Sequence, residues 1–166
     1  MLIRKLFKVE MAHRLMSSYS KKCQSIHGHS YLIEVILEGE PTEKHDEMVL
    51  DFGEVKDKIN KFIDAFDHSM VVSSKDVIAP DLIPVMDKLN MRYIVVPYNP
   101  TAEMMACHLL KQIYELGVEN VRKVVVHETA TGYAEADIKF GYKDVDLTKV
   151  YYSPATGFEY KQKGLL

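Results

Sequence analysis

The sequence predicts an α+β fold in which two helices cover one face of a four-stranded antiparallel sheet. Three observations lead there. The chain opens with two strand-like stretches, its middle holds two segments with apolar residues at helical spacing, and two more strand-like runs follow. The order is therefore strand, strand, helix, helix, strand, strand.

Residues 2–11 form the first strand, because Phe7, Val9 and Met11 alternate with charged neighbours. "YLIEVILEG" (31–39) is rich in β-branched residues and closes at Gly39, and "GEPTEKHDEM" (39–48) is a polar loop. Residues 54–66 place Val55, Ile59, Phe62, Ile63 and Phe66 on one helical face. In "PTAEMMACHLLKQIYELG", Pro100 precedes the second helix, Thr101 is its N-cap, Glu103 lies in the positive first turn, and Gly117 is the stop. "VRKVVVHET" (121–129) and "AEADIKFGY" (134–142) are the last strands, joined at Gly132. Residues 69–98 show no clear periodicity and are expected to make a long excursion over the surface. Residues 143–166 form a polar, aromatic extension to which the pattern assigns no element. Four strands leave two open edges, so oligomerisation that pairs them is expected.

Length and composition fit one domain spanning 1–166, with a core of about 1–142: 47% of the 166 residues are hydrophobic and 27% charged. A net charge of -3 argues against a nucleic-acid surface. No apolar run approaches the roughly 18 residues that cross a membrane. "MLIRKLFKVEM" lacks the apolar centre of a signal peptide, and two cysteines build no disulfide framework. A reduced, cytoplasmic enzyme or binding protein is expected.

The chemistry concentrates in "CQSIHGHSY" (23–31). If the second strand begins near His27, then His27 and His29 project to one side, and Gly28 lets the backbone approach an ion. His13, in "MAHRL" at the end of the first strand, lies just across a hairpin as a third ligand. Three imidazoles would make a zinc site with its fourth position open. The competing reading is a hydrated loop with chance histidines. Cys23 stands among polar neighbours and beside this cluster could act as base or nucleophile, whereas Cys107, mid-helix, fits a structural thiol. "FDHSM" sets Asp67 directly before His68, either a tuned general acid/base or a helix-terminal Asp beside a surface His. Glu128, at the end of the apolar strand in "VVHETATG", needs a partner: a guanidine-like heterocycle edge, a lysine or a backbone turn.

Taken in order, "FKVEMAHRL", "CQSIHGHSY", "VLDFGEVK", "FDHSM", "NPTAEMMA" and "HETATG" resemble the 6-pyruvoyl-tetrahydropterin synthase family, and more closely its bacterial 6-carboxytetrahydropterin synthase branch. The resemblance runs from about Leu6 to Tyr142. It implies the tunnelling fold, with subunits in rings whose sheets join into a barrel, a homo-hexamer with active sites where subunits meet. It also implies zinc held by His13, His27 and His29, a catalytic Cys23, an acid–base pair Asp67 and His68, and a pterin-anchoring Glu128. Thr101 and Glu103 occupy the family's "PT-x-E" position near the pterin. The implied substrate is 7,8-dihydroneopterin triphosphate, which loses triphosphate and acetaldehyde in queuosine and deazapurine biosynthesis. Arg14, Lys21 and Lys22 are candidates to meet the triphosphate. Gln24, Ser25 and Ile26 between Cys23 and His27 match the spacing of the bacterial branch; the animal enzymes, which make the 6-pyruvoyl product, have more residues there. That product, or a non-catalytic zinc module, is the alternative. Two departures stand out. Ser69, Met70, Val71 and Val72 follow the Asp-His pair where the family has polar residues, and both 69–98 and the tail are longer than the family's.

Overall fold

The computed structural model describes residues 1–160. Its elements in chain order are β1 (Leu2–His13), α1 (Lys21–Gln24), β2 (His27–Glu38), α2 (Phe52–Asp64), β3 (Ser69–Ser73), α3 (Ala79–Lys88), β4 (Tyr93–Val96), α4 (Ala102–Glu115), β5 (Val121–His127), β6 (Tyr133–Asp137) and β7 (Tyr151–Tyr152). No helix among the described residues is long and apolar enough to cross a membrane.

β1 and β2 form an antiparallel hairpin in register from Leu2↔Glu38 to His13↔His27. Side chains alternate across a strand, so Val9, Met11 and His13 share a buried face with Tyr31, Ile33 and Val35. α2 and α4 cover that face, joining Val55, Ile59, Phe62, Leu109 and Ile113 to Val124 and Val126 of β5 in one core. The helices start where their caps dictate. Asp51 accepts a hydrogen bond from Gly53 N at 2.6 Å, and Thr101 caps α4 through Met104 N. β6 stops at Asp137, whose Oδ1 accepts from the backbone N–H groups of Lys139 and Phe140 and turns the chain, so the expected strand over 134–142 is cut short.

The sheet departs from the expected four antiparallel strands. Among the described residues it has seven, in the order β6-β5-β2-β1-β3-β4-β7, and β1, β3 and β4 run parallel to one another. Residues 69–98 are no surface excursion. They fold inward as strand, helix, strand, and all five residues of β3 are buried. Val71 packs into the main core, whereas Met70 and Val72 pack with Met86 of α3 on the opposite face. A third helix, α3, therefore packs on the face opposite α2 and α4. Fully burying one such valine stabilises the fold by about 1.5–3 kcal/mol. A strand buried on both faces has no polar alternation, which is why "SMVVS" and "YIVV" carry no strand period. The tail completes this half. β7 pairs antiparallel with β4, and Val145, Leu147 and Phe158 enter the core. Residues 161–166 of the expected extension lie outside the described residues.

Candidate active site

The hairpin register sets His13 opposite His27 and Met11 opposite His29, so the three imidazoles meet on the helix-covered face at the end of β1. One nitrogen from each lies within 4.8 Å of the others. Gly28 is confined there, since a Cβ would stand 3.2 Å from the carbonyl oxygen of Met11. The rings are oriented from behind. His13 Nδ1 lies 2.8 Å from the carbonyl oxygen of Pro100, and His27 Nδ1 lies 2.8 Å from that of Ser25. A carbonyl only accepts, so both Nδ1 atoms carry the proton and both Nε2 atoms present lone pairs. Those two Nε2 atoms are 3.1 Å apart. Facing lone pairs at that distance repel unless a cation lies between them, and three imidazoles, two of them backed by carbonyls, are a donor set that fits zinc. Burial holds the pKa of His13 below that of a free imidazole, against the opposing pull of the Pro100 bond. The neutral, ligating form is thereby favoured.

Two further groups close the cluster. The Tyr31 hydroxyl stands 3.3 Å from His13 Nε2 and 3.5 Å from Glu128 Oε1. Burial first, then the nearby Glu128 charge, raises the Tyr31 pKa, so the phenol keeps its proton. Glu128 follows β5 on a turn where its N–H and that of Thr129 donate to the Gly132 carbonyl. Its Oε1 is 3.4 Å from His13 Nε2 and 3.8 Å from His29 Nε2. The partner of this carboxylate is thus the imidazole cluster and a tyrosine. Tyr31 was missed in the sequence, although it stands two residues beyond His29 on the same face of the strand. The Pro100 and Ser25 carbonyls left no sequence signal.

Asp67 and His68 form a second group beyond α2. Asp67 Oδ1 accepts from Glu10 N at 2.8 Å, and Oδ2 takes the His68 Nδ1 proton at 2.9 Å. Burial pushes the Asp67 carboxyl up, but those two bonds outweigh it and hold its pKa below the ordinary value. The His68 backbone N–H donates to Glu10 O at 2.6 Å, and its φ of 55° lies in the left-handed region. Its ring is 73% exposed. His68 and His29 line one open depression of about 590 Å³, together with Glu10, Ser30, Met70 and Arg92.

Cys23 sits half-exposed on α1 between the clustered histidines and Lys21 and Lys22 in sequence, and its carbonyl receives Leu15 N at 2.8 Å. The clustered donors are three imidazoles without this thiol. Cys107 is buried, its sulfur near Lys143 N at 3.4 Å, as befits a structural thiol. Thr101 is engaged as the cap of α4, next to the Pro100 carbonyl that orients His13, and Glu103 is exposed in the first turn. Arg14 faces the buried Asp76 as an ion pair at 2.9 Å, although its N–H is not aligned on the oxygen.

This architecture is the tunnelling fold. Solved structures share it: an uncharacterized protein from Wolinella succinogenes (TM-score 0.72, 24% identity, 83% of this chain and 98% of that one) and the Caenorhabditis elegans 6-pyruvoyl tetrahydropterin synthase (TM-score 0.60, 20% identity, 82% and 94%). The family described as 6-pyruvoyl tetrahydropterin synthase matches residues 2–139. Curated relatives include the 6-carboxy-5,6,7,8-tetrahydropterin synthases of Aquifex aeolicus (36% identical, covering 80% of this chain and 95% of that protein) and Helicobacter pylori J99 (33%, 84% and 74%). The chain belongs to the 6-pyruvoyl tetrahydropterin synthase family.

Proposed function

We propose that the chain is a zinc-dependent 6-carboxy-5,6,7,8-tetrahydropterin synthase. It converts 7,8-dihydroneopterin triphosphate with loss of triphosphate and acetaldehyde, in the cytoplasm, on the route to queuosine and related deazapurines. The observation that carries this reading is the pair of carbonyl-anchored imidazoles whose Nε2 lone pairs face each other beside His29. The names of the Aquifex and Helicobacter relatives and the spacing from Cys23 to His27 favour the 6-carboxy product over the 6-pyruvoyl one.

His13, His27 and His29 would hold the ion. Zinc, when bound, supplies Lewis acidity toward the hydroxylated side chain of the substrate. Cys23 as thiolate removes a carbon-bound proton. His68, with its Nδ1 proton fixed on Asp67, exchanges a proton at Nε2 on the other side. Glu128 accepts hydrogen bonds from the amino-pyrimidine edge and so orients the pterin, while Thr101 and Glu103 stand at its rim. Lys21 and Lys22 are the freer cations for the triphosphate, because Arg14 is committed to Asp76. The whole chain acts as one unit within a homo-hexamer whose sites lie at subunit junctions. Two features favour assembly: among the described residues β1 meets β3 over Met11–His13 and the Asp67–His68 turn at Glu10, leaving the earlier part of that edge for another strand, and β6 is an outer strand.

The test is to incubate zinc-loaded protein with 7,8-dihydroneopterin triphosphate and analyse products by mass spectrometry. 6-Carboxytetrahydropterin, triphosphate and acetaldehyde in equal amounts are expected. A 6-pyruvoyl product would reassign the branch, and no conversion would overturn the reading.

A further inference from the structure

The Asp67–His68 turn is held by a residue from the segment that the sequence left without structure. Arg92 stands between α3 and β4, and its guanidinium lies against the end of α2. Nε donates to the Asp67 carbonyl at 2.9 Å, and Nη2 donates to the Asp64 carbonyl at 2.5 Å and approaches Asp64 Oδ2 at 3.2 Å. Nη1 donates to the Ala155 carbonyl at 3.2 Å. All three nitrogens are thus engaged, on the last residue of a helix, on the turn that follows it, and on the C-terminal tail. A planar guanidinium suits this: it presents donors in a rigid fork, and its charge meets the negative end of the α2 dipole.

His68 needs such support. Its φ of 55° is uncommon for a residue with a Cβ, and such conformations persist where the surroundings over-determine them. Three contacts do so here. Glu10 O receives the His68 N–H, Asp67 Oδ2 receives the ring proton, and Arg92 fixes the carbonyl of the peptide unit between Asp67 and His68. Removing the third leaves that peptide held through its N–H alone, so it can tilt about the bond to Glu10 O, and the imidazole moves with it. Ser69 and Met70 begin β3 directly afterwards, and the Met70 N–H donates to the Arg92 carbonyl at 3.2 Å, so side chain and backbone of one residue bracket the turn.

We propose that Arg92 is a positioning residue for His68, by which the 69–98 segment and the tail set where the exposed imidazole stands. The inference rests on the acid–base role proposed above for His68, and its test separates the two. Three zinc-loaded variants are compared with the parent: Arg92→Ala, Arg92→Lys and His68→Ala. Arg92→Ala should lower kcat by about 100-fold, the scale of a misplaced catalytic group, with KM and zinc content unchanged. Added methylguanidinium should restore part of the loss. In ¹⁵N-histidine spectra the His68 ring signals should move while those of His13, His27 and His29 stay. Arg92→Lys, with one nitrogen for four acceptors, should behave like Arg92→Ala, and it carries the test if the alanine variant does not fold. A kcat within about threefold of the parent, while His68→Ala loses turnover, overturns the proposal, as does a lost kcat with unmoved His68 signals. If His68→Ala keeps turnover, the acid–base role is what fails, and the ring signals alone then decide whether Arg92 positions the imidazole.

Discussion

Two imidazoles in this protein are completely buried, and they do opposite things. His13 and His108 are each 0% exposed, and each has neighbours at both ring nitrogens. His108, on α4, lies between two hydroxyls, Tyr98 at 2.6 Å from Nδ1 and Tyr152 at 2.9 Å from Nε2. A hydroxyl donates or accepts as required, so whichever nitrogen carries the proton, both are satisfied. His13 has a carbonyl at Nδ1, and its Nε2 faces another imidazole's nitrogen at 3.1 Å with the Tyr31 hydroxyl beside it at 3.3 Å. One hydroxyl proton does not serve two facing lone pairs, and a cation between them would. The comparison shows how a ligand is told from a core histidine: by what the second nitrogen faces, since depth is the same.

The largest effect should come from breaking the pair of facing nitrogens. His27→Ala removes one of the two facing Nε2 atoms, and bound zinc should fall from about one equivalent per chain to near zero, read by elemental analysis. Retention of full zinc would remove His27 from the ligand set. Cys23→Ala ranks next. The thiol is outside the donor cluster, so zinc, assembly and pterin binding should survive while turnover drops by roughly two to four orders of magnitude. Zinc lost with activity would make Cys23 a ligand, and activity retained would make it a bystander. Cys107→Ala, at a buried structural position, should leave turnover nearly unchanged.

The same contrast governs what was legible in the sequence. The hairpin half announces itself, because one face of β1 meets solvent and the alternation of its residues records it, while β2 shows in its β-branched residues; a hairpin with its second strand starting near His27 then puts His27 and His29 on one side with His13 across from them. α2 and α4 were legible through their apolar faces, and α4 through Thr101 at its start as well. The other half was not. β3 and β4 are buried on both faces, α3 carries Pro84 inside it, and β7 is two residues long, so no periodic pattern survives. His108 looked like any mid-helix residue, since its partners Tyr98 and Tyr152 come from segments with no readable element. Arg92 was silent for a related reason: it acts on backbone carbonyls, and a carbonyl leaves no trace in residue identity.

Glu128 sharpens the comparison from the edge of the cluster. Its Oε1 stands 3.4 Å from His13 Nε2, close enough to serve the ion or the pterin. As a pterin anchor, Glu128→Gln replaces an acceptor by a donor that faces donors, and binding of a substrate analogue should weaken by about 2–4 kcal/mol, measured by calorimetry, with zinc retained. Loss of zinc in this variant would move Glu128 into the ligand set. Unchanged affinity would give it a structural role.

The smallest effect tests the satisfied imidazole. Burial lowers the His108 pKa to about 3, far below the 6.5 of a free histidine. The unfolded chain therefore takes up a proton below pH 6.5 that the folded chain refuses until about pH 3. The sign follows from that difference: what His108 contributes to stability is fully present above pH 6.5 and is lost as the pH falls, by about 1.4 kcal/mol per unit. Burial lowers the His13 pKa as well, which adds a dependence of the same sign, so the parent alone does not isolate it. His108→Gln supplies the difference, because the amide still offers a donor and an acceptor to Tyr98 and Tyr152 but takes up no proton. Urea unfolding of both proteins at several pH values should show the stability gap moving in the variant's favour by about 2 kcal/mol between pH 6.5 and 5. A gap that stays constant over that range would mean that His108 takes up its proton without unfolding the protein, and that the two hydroxyls reorganise around an imidazolium.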